Sequence, residues 1–170
     1  MILVKHLPSF KNRPTEVEAV KKTFDSSLPI QYHDMCPIHL TNDSTVEALN
    51  KMIPPESNLS PFSQRNFRPC IVINGVDSLK EENFDYVRFS DNIICKNVRL
   101  CTRCAIPTID PDTGIKEDER TKILTDFRSP KTYLEKLCYG DRSLFGINLA
   151  ASNSGEVKVG SSVDVSFKNI

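Results

Sequence analysis

Two cysteines separated by two residues, Cys101 and Cys104, are the side chains of this sequence best suited to chemistry. A Cys-x-x-Cys pair can hold zinc when two further ligands lie nearby, usually from a second close pair, and no second pair occurs in the sequence. The histidines are not at ligand spacing; they are His6, His33 and His39. The spacing therefore gives zinc little support.

Three other interpretations of the pair stay open. A thioredoxin-type dithiol begins a helix, whose dipole lowers the pKa of the first thiol, but Pro107 and Pro111 disfavour a helix here. A single thiolate at a strand end could instead bind a soft metal, with the guanidinium of Arg103 beside it to hold an anionic cofactor group. Both cysteines could also be small packing residues. The spacing alone favours packing, because most free cysteines are of that kind.

The elements around the pair are expected to bring it to the end of a strand. Residues 84–89 and 93–100 flank a turn-like segment, 90–92, and predict a β-hairpin whose second arm leads directly to Cys101. Further strands are predicted at residues 1–10, 70–74, 145–151, 157–159 and 163–167, with extended chain over 29–41.

Three helices accompany these strands. The first is predicted over residues 14–24, and the second begins at a capping box, 44–47, and ends before Pro54. The third is predicted over 117–128, and residues 56–66 read as a polar loop. The fold class is therefore α+β and β-rich, an irregular β-barrel with about three peripheral helices rather than a βαβ sheet.

Charge and hydropathy exclude two broad classes. The 22 Lys and Arg balance 22 Asp and Glu among 170 residues, and a nucleic-acid binder needs a basic excess on one face, so no nucleic-acid partner is expected. Apolar runs such as 71–73 are far shorter than the roughly 20 residues of a membrane-spanning helix. The six cysteines, without a secretion signal, are expected to be free thiols.

Several blocks around the cysteine pair resemble the MOSC domain family. In chain order these are Asn66-Phe67-Arg68-Pro69, Cys101-Thr102-Arg103-Cys104, Thr108-Ile109-Asp110-Pro111-Asp112-Thr113-Gly114, Leu144-Phe145-Gly146 and Lys158-Val159-Gly160. The likeness runs from about Ile30 to Val165 and is strongest to the mitochondrial amidoxime-reducing components, the molybdenum enzymes of that family. It implies a MOSC-type barrel with a molybdopterin-type molybdenum cofactor and activity on N-hydroxylated compounds such as amidoximes.

The resemblance also assigns roles within the cysteine pair. It makes Cys104 the catalytic residue and the molybdenum ligand, which suits the softness of a thiolate donor. Thr102 and Arg103 would line the cofactor. Cys101 is then expected to be a packing residue at the strand end, where a hydroxyl in its place would meet apolar surroundings.

Other cofactor-binding positions follow from the same resemblance. Arg68 would reach the phosphate or the pterin, and Asp34 falls in a polar segment of the cofactor pocket. Cys70 stands where the family usually has an asparagine able to hydrogen-bond the pterin, and Cys36 replaces a small polar residue. The turn at 110–114 would shape the pocket wall or serve a purely structural role.

The relatives carry a separate N-terminal β-rich domain and a membrane anchor. By resemblance, residues 1–29 are expected to be a remnant of the region that links to that domain, and 30–170 to form the MOSC domain. Part of the cofactor pocket would then be absent from this chain. The family implies a mitochondrial location, and the lack of the anchor leaves the cytoplasm as the alternative.

The expected function is reduction of small N-oxygenated substrates. Electrons would come from partner proteins, by resemblance a cytochrome b5 type carrier and its reductase, because no Gly-x-Gly-x-x-Gly fingerprint occurs. One alternative is the sulfur-carrier role of the MOSC domain in molybdenum-cofactor sulfurases, in which pyridoxal phosphate would bind a partner domain. A second is a non-enzymatic, cofactor-free MOSC module, which the departures at Cys36 and Cys70 favour.

Overall fold

Alternating apolar side chains give this chain a sheet that carries most of its core. The computed structural model describes residues 13–14, 29–30, 36–89, 93–153 and 155–168. Two short strands, β1 (Arg13–Pro14) and β2 (Pro29–Ile30), pair antiparallel with each other.

The other six strands form one curled sheet, a half-barrel, with the order β4-β3-β7-β6-β5-β8. The strands are β3 (Ile38–Asn42), β4 (Ile71–Ile73), β5 (Phe84–Phe89), β6 (Ile93–Thr102), β7 (Leu144–Ala151) and β8 (Val163–Phe167). Neighbours are antiparallel except β3 and β4, which are parallel. The α+β, β-rich class and the hairpin before the cysteine pair are confirmed.

Four α-helices surround the sheet within the described residues. They are α1 (Asp43–Asn50), α2 (Gln64–Phe67), α3 (Glu119–Phe127) and α4 (Tyr133–Tyr139), and single 3-10 turns occupy Lys80–Asn83 and Ile106–Thr108. Helices α1 and α2 lie in the connection between the parallel strands β3 and β4. The predicted helices at 44–53 and 117–128 are confirmed as α1 and α3.

Two apolar clusters make up the core. The first lies along the sheet and includes Leu40, Val87 and Ile147. The second joins the helices to the sheet through Phe67 and Phe145, whose ring centroids are 3.7 Å apart in a stacked arrangement. Since every residue from 144 to 150 is buried, β7 connects the two clusters.

The cap of α1 differs from the prediction. Asn42, in extended conformation at the end of β3, is the N-cap, and its side-chain oxygen accepts a hydrogen bond from the backbone N–H of Ser44 at 3.2 Å. The Asn42 amide nitrogen also donates to the buried carboxyl of Glu81 at 3.2 Å. The predicted capping box failed because the helix begins directly from the strand, one residue before Ser44.

Two further predictions were wrong in part, and one helix was missed. The loop predicted at 56–66 ends in α2, which Ser63 and Asn66 cap reciprocally. Helix α4 was not expected, although Leu134, Leu137 and Cys138 have helical spacing, and none of its residues is buried. Residues 157–159, predicted as a strand, are exposed and irregular. The strand predicted at 1–10 and the helix at 14–24 lie outside the described residues, except for the first residue of the latter.

Candidate functional site

Strand β7 fixes the backbone of the cysteine pair. Thr102, the last residue of β6, is in register with Leu144 at the start of β7, and the next backbone N–H, that of Arg103, donates to the Ser143 carbonyl at 2.8 Å. Cys101 therefore lies inside a strand rather than at a helix N-terminus. This placement does not match a thioredoxin-type dithiol, whose first cysteine begins a helix.

Arg103 connects this strand end to α2. Its Nη1 donates to Cys101 Sγ at 3.1 Å and its Nη2 donates to the Phe67 carbonyl at 3.0 Å. The guanidinium carbon also lies 5.6 Å from the centroid of the Phe67 ring. These contacts correct the expectation that Cys101 is a packing residue in apolar surroundings, because its half-buried sulfur accepts a hydrogen bond from a cationic group.

Helix α2 is attached to the segment that follows the cysteine pair. The buried Asn66 amide donates to the Ile109 carbonyl at 3.2 Å, and Phe67, only 1% exposed, stacks on Phe145. The next residue, Arg68, has left-handed backbone geometry (φ 53°, ψ 50°) and an exposed side chain. The contacts of Asn66 and Phe67 fix the end of α2, and Arg68 directly follows the carbonyl to which Arg103 donates.

Cys104 lies on an open cleft of about 400 Å³, here termed the Cys104 cleft. Its walls come from the end of the cysteine motif, from α3 with Thr125, and from the turn before β7 with Arg142. The Cys104 thiol is exposed. Arg103 and Arg142 give the cleft cationic groups, and the hydroxyls of Thr125 and Ser143 lie 3.1 Å apart. A soft sulfur donor thus shares a cleft with groups able to bind anionic oxygens.

The sequence interpretation missed the far side of this cleft. Asp141 and Arg142 are exposed charged residues in the loop before β7, whose residues 144–150 are buried. The usable signal was that position, because the predicted strand at 145–151 makes the residues before it a connecting loop. Its pairing with β6, which brings the loop to Arg103, had no signature in the sequence.

Cys70 occupies a different place from Cys104. It pairs with β3, where the His39 N–H donates to Cys70 Sγ at 3.1 Å and the Cys70 N–H donates to the His39 carbonyl at 2.8 Å. Loss of water around the sulfur raises the pKa of Cys70. Burial likewise raises the pKa of Cys36 to about 12, against the opposing effect of the nearby Arg99. Neither thiol is therefore suited to ionise at neutral pH.

The turn at 110–114 carries its own hydrogen-bond network. The Asp110 carboxylate accepts hydrogen bonds from the N–H of Thr113 and from Ser60 Oγ, and these bonds lower the pKa of Asp110 to about 2. Arg65 of α2 pairs with Asp112 at 2.6 Å. These contacts give the turn a structural role in holding α2, and it is absent from the wall of the Cys104 cleft.

The structure gives positions for five of the six predicted site residues. Cys104 and Arg103 share the cleft, and Arg68 follows Phe67, the residue that Arg103 contacts. Thr102, the last residue of β6, directly precedes Arg103 and is half-buried. Cys70 is engaged with β3, and Asp34 lies outside the described residues.

One buried donor, Arg103 Nε, bears on whether these residues suit an anionic, sulfur-bound cofactor. Arg103 Nε is buried and has no hydrogen-bond partner among the described residues. Such a donor is costly unless a bound group accepts its proton. Together with the exposed thiol of Cys104, it fits a ligand that offers both a soft metal and anionic acceptors. Across the same residues, no three His, Cys, Asp or Glu side chains are grouped to hold a metal by themselves.

Comparison with known proteins gives a consistent family. Residues 27–164 match the family model described as MOSC domain. The chain is 32% identical over 159 residues to mitochondrial amidoxime-reducing component 1 of Xenopus laevis, covering 93% of this chain and 44% of that protein. It is 32% identical over 152 residues to mitochondrial amidoxime-reducing component 1 of Homo sapiens, covering 89% of this chain and 43% of that protein.

A second type of relative gives the same coverage. Mitochondrial amidoxime reducing component 2 of Rattus norvegicus is 28% identical over 162 residues, which cover 95% of this chain and 46% of that protein. The chain thus spans less than half the length of these curated relatives. Within its described part, the chain has no helix that is both long and apolar enough to cross a membrane.

Proposed function

The chain belongs to the MOSC domain family, and from this premise we propose that it binds molybdenum cofactor and reduces N-hydroxylated compounds, with Cys104 as the protein ligand of the metal. The observation that carries the proposal is the exposed Cys104 thiol on a cleft that Arg103 also lines. The relatives named for amidoxime reduction support the reaction class.

The donor set of the cleft supports a molybdopterin-type group. Thiolate sulfur is a suitable ligand for a soft or sulfur-bound metal, and an arginine fork suits phosphate and other anionic oxygens. The buried Nε–H of Arg103, unpartnered within the described residues, can donate to such an oxygen. We propose that Thr102 lines the cofactor beside Arg103, and that Cys70 and Asp34 contribute on the pterin side.

When bound, the cofactor would supply a metal centre that accepts the substrate oxygen and passes on the electrons received from a separate carrier. The protein's own groups bind and orient. Cys104 provides the sulfur donor, and the cationic Arg103 neutralises negative charge beside it. The volume of the Cys104 cleft, about 400 Å³, leaves room for a small substrate.

Arg68 is proposed as a second cation for the cofactor. A non-glycine residue at φ 53° is strained by about 1 kcal/mol or more, and such strain persists where the surroundings impose it. Here the contacts of Asn66 and Phe67 fix α2, so the backbone of Arg68 keeps its left-handed geometry and its side chain stays exposed. Replacing Arg68 with Ala should lower cofactor retention and leave folding intact. Arg88→Ala, which removes an exposed arginine on β5, is the matched control.

The central experiment compares two exposed cysteines. Wild type, Cys104→Ser and Cys138→Ser are purified from a host that makes the cofactor, and molybdenum per folded chain and amidoxime reduction with a supplied reductant are measured. Cys138 is an exposed cysteine on α4 and serves as the control. We expect Cys104→Ser to lose the reduction and bound metal, because a hydroxyl is a harder and less acidic donor, and Cys138→Ser to match wild type.

Other outcomes would point to different functions. A wild type that carries molybdenum, reduces no amidoxime and sulfurates a desulfo acceptor enzyme would indicate the sulfur-carrier role. A folded wild type that binds neither molybdenum nor pterin would refute the proposal in favour of a cofactor-free module. Equal metal loss in Cys104→Ser and Cys101→Ser would indicate a two-thiolate site.

Electron donors and location belong to the same proposal. We propose that the electrons come from a separate carrier of the cytochrome b5 type with its reductase, and that the protein acts at the mitochondrion, as the names of its relatives suggest. Cell fractionation of the tagged full-length protein tests the location. Recovery of the protein in the cytosolic fraction would refute it.

A further inference from the structure

We infer that Cys101, the first cysteine of the pair, is a positioning residue that holds the guanidinium of Arg103 in place for the cofactor. The inference rests on the proposed function, since it assigns to Arg103 a role in binding the cofactor. It gives the two cysteines of the pair different tasks. Cys104 would contact the metal, and Cys101 would act through Arg103.

The Arg103 side chain is fixed by two acceptors on different elements. Its Nη1 donates to Cys101 Sγ at 3.1 Å, within β6, and its Nη2 donates to the Phe67 carbonyl at 3.0 Å, at the end of α2. The Phe67 ring lies 5.6 Å from the guanidinium carbon. A planar guanidinium held at both terminal nitrogens cannot turn about its Nε–Cζ bond without losing both hydrogen bonds.

The backbone at the end of β6 explains why the contact forms. Cys101 lies in β6, and Arg103 is the first residue after that strand. The backbone N–H of Arg103 donates to the Ser143 carbonyl at 2.8 Å, which fixes the point from which the arginine side chain starts. From there the guanidinium reaches back over two residues to the sulfur of Cys101.

The sulfur of Cys101 serves as acceptor and donor. It accepts from Arg103 and lies 3.7 Å from the Thr102 carbonyl, to which the thiol donates. Alanine could do neither, whereas serine could do both with a shorter reach. With both Nη groups engaged, Arg103 Nε remains as a buried donor without a partner among the described residues. Its position is thus set before any ligand arrives, which reduces the entropy lost on binding.

The first arm of the test reads the arginine itself, without cofactor. Side-chain 15N NMR of the full chain resolves the Nε and Nη signals, and Arg103→Lys assigns those of Arg103. We expect separate Nη signals in wild type, since the hydrogen bonds restrict rotation, and averaged signals in Cys101→Ala. Cys101→Ser should keep them at least partly separate, and Cys138→Ala should match wild type. Unchanged Arg103 signals in Cys101→Ala would overturn the inference.

The second arm is a double-mutant cycle on cofactor retention. Molybdenum per folded chain is followed during dialysis for wild type, Cys101→Ala, Arg103→Ala and the double variant. Losing one hydrogen bond to a charged group should speed cofactor loss about tenfold in Cys101→Ala, with partial rescue in Cys101→Ser. If Cys101 acts through Arg103, Cys101→Ala adds nothing in the Arg103→Ala background.

The outcomes separate the inference from the proposed function. Additive losses in the cycle, or retention in Cys101→Ala equal to that of wild type, would overturn the inference while the proposed function stands. A wild type that carries no molybdenum would overturn the proposed function and with it the cofactor role of the hydrogen bond between Cys101 and Arg103, whatever the NMR signals show. Averaged NMR signals together with non-additive losses support both.

Discussion

A methyl group added at Gly146, in β7, should markedly lower the free energy of unfolding. The φ of Gly146 is +75°, and a Cβ built there would lie 2.6 Å from the Leu40 carbonyl oxygen, 2.6 Å from His39 Nε2 and 3.0 Å from Thr41 Cγ2. The first contact is with the backbone of β3, so no change of rotamer can relieve it. Gly146→Ala must therefore push β3 away from β7.

The size of the effect can be separated into two parts. An L-residue in the left-handed region costs about 1 to 2 kcal/mol, and overpacking a filled interior costs about 1 to 3 kcal/mol more. Gly146→Ala should then lower the free energy of unfolding by roughly 2 to 5 kcal/mol, a large share of the roughly 5–15 kcal/mol typical of a domain. Gly114→Ala isolates the first part, because Gly114 has φ +73° and nothing within 4 Å of its added Cβ.

Urea unfolding, followed by circular dichroism, measures both variants. Gly114→Ala should lower the midpoint by roughly 0.3 to 2 M, and Gly146→Ala should lower it further by on the order of 1 M, given slopes of roughly 1–3 kcal/mol/M. Equal shifts would show that the close approach of β3 and β7 adds nothing to the backbone strain, and would refute the steric argument. A Gly146→Ala chain that does not fold is the upper limit of the expected effect.

Three further predictions concern buried or partly buried polar groups and can be checked by urea unfolding. Burial raises the pKa of Glu81, so the folded state binds its proton more tightly than the unfolded state does, and the free energy of unfolding should fall as pH rises through the folded pKa. Glu81→Gln should flatten this dependence of stability on pH. The same pH dependence in Glu81→Gln as in wild type would contradict the prediction. The Arg128 guanidinium lowers the pKa of Glu135 to about 2, so its stabilisation is complete above the unfolded pKa near 4.5 and is lost as pH falls towards 2; Glu135→Gln should remove this acid sensitivity, and an unchanged acid limb would refute it. Asn42→Ala should cost about 2 to 4 kcal/mol, because it removes both the helix cap and a buried partner of Glu81, whereas Ser44→Ala should cost less than about 0.5 kcal/mol, and comparable losses in the two variants would contradict the cap assignment.

Local patterns predicted the elements whose cause is local. Alternation over 84–89 and 93–100 marked the hairpin that carries the cysteine pair, and apolar periodicity marked α1 and α3. Helix α4 was missed, although Leu134, Leu137 and Cys138 have helical spacing and a capping box marks its start, in which Thr132 accepts from the N–H of Glu135 at 3.1 Å. Residues 157–159 gave a false signal, because alternation without a neighbouring strand does not make a strand.

The candidate site was predicted only where sequence neighbours form it. Cys104 and Arg103 came from one motif, and the contact of Arg103 with Cys101 joins two residues of that same motif. The opposite wall of the Cys104 cleft, with Thr125 and Arg142, depends on β7 pairing beside β6 and on α3 packing under it. Such long-range pairing leaves no periodic mark on the residues that it brings together.

Strand β7 connects the candidate site to the core. This connection predicts which variants lose cofactor retention alone and which lose stability with it. Phe145 supports α2 through Phe67, the Ser143 carbonyl holds the backbone of Arg103, and Leu144 is in register with Thr102. Substitutions in 143–146 should therefore change stability and cofactor retention together, since the same atoms serve both. Cys104 and Arg68 have exposed side chains, so their replacement should remove the proposed cofactor contacts without removing core contacts. Loss of retention without loss of stability is thus the signature that separates the proposed ligands from the residues that hold them in place.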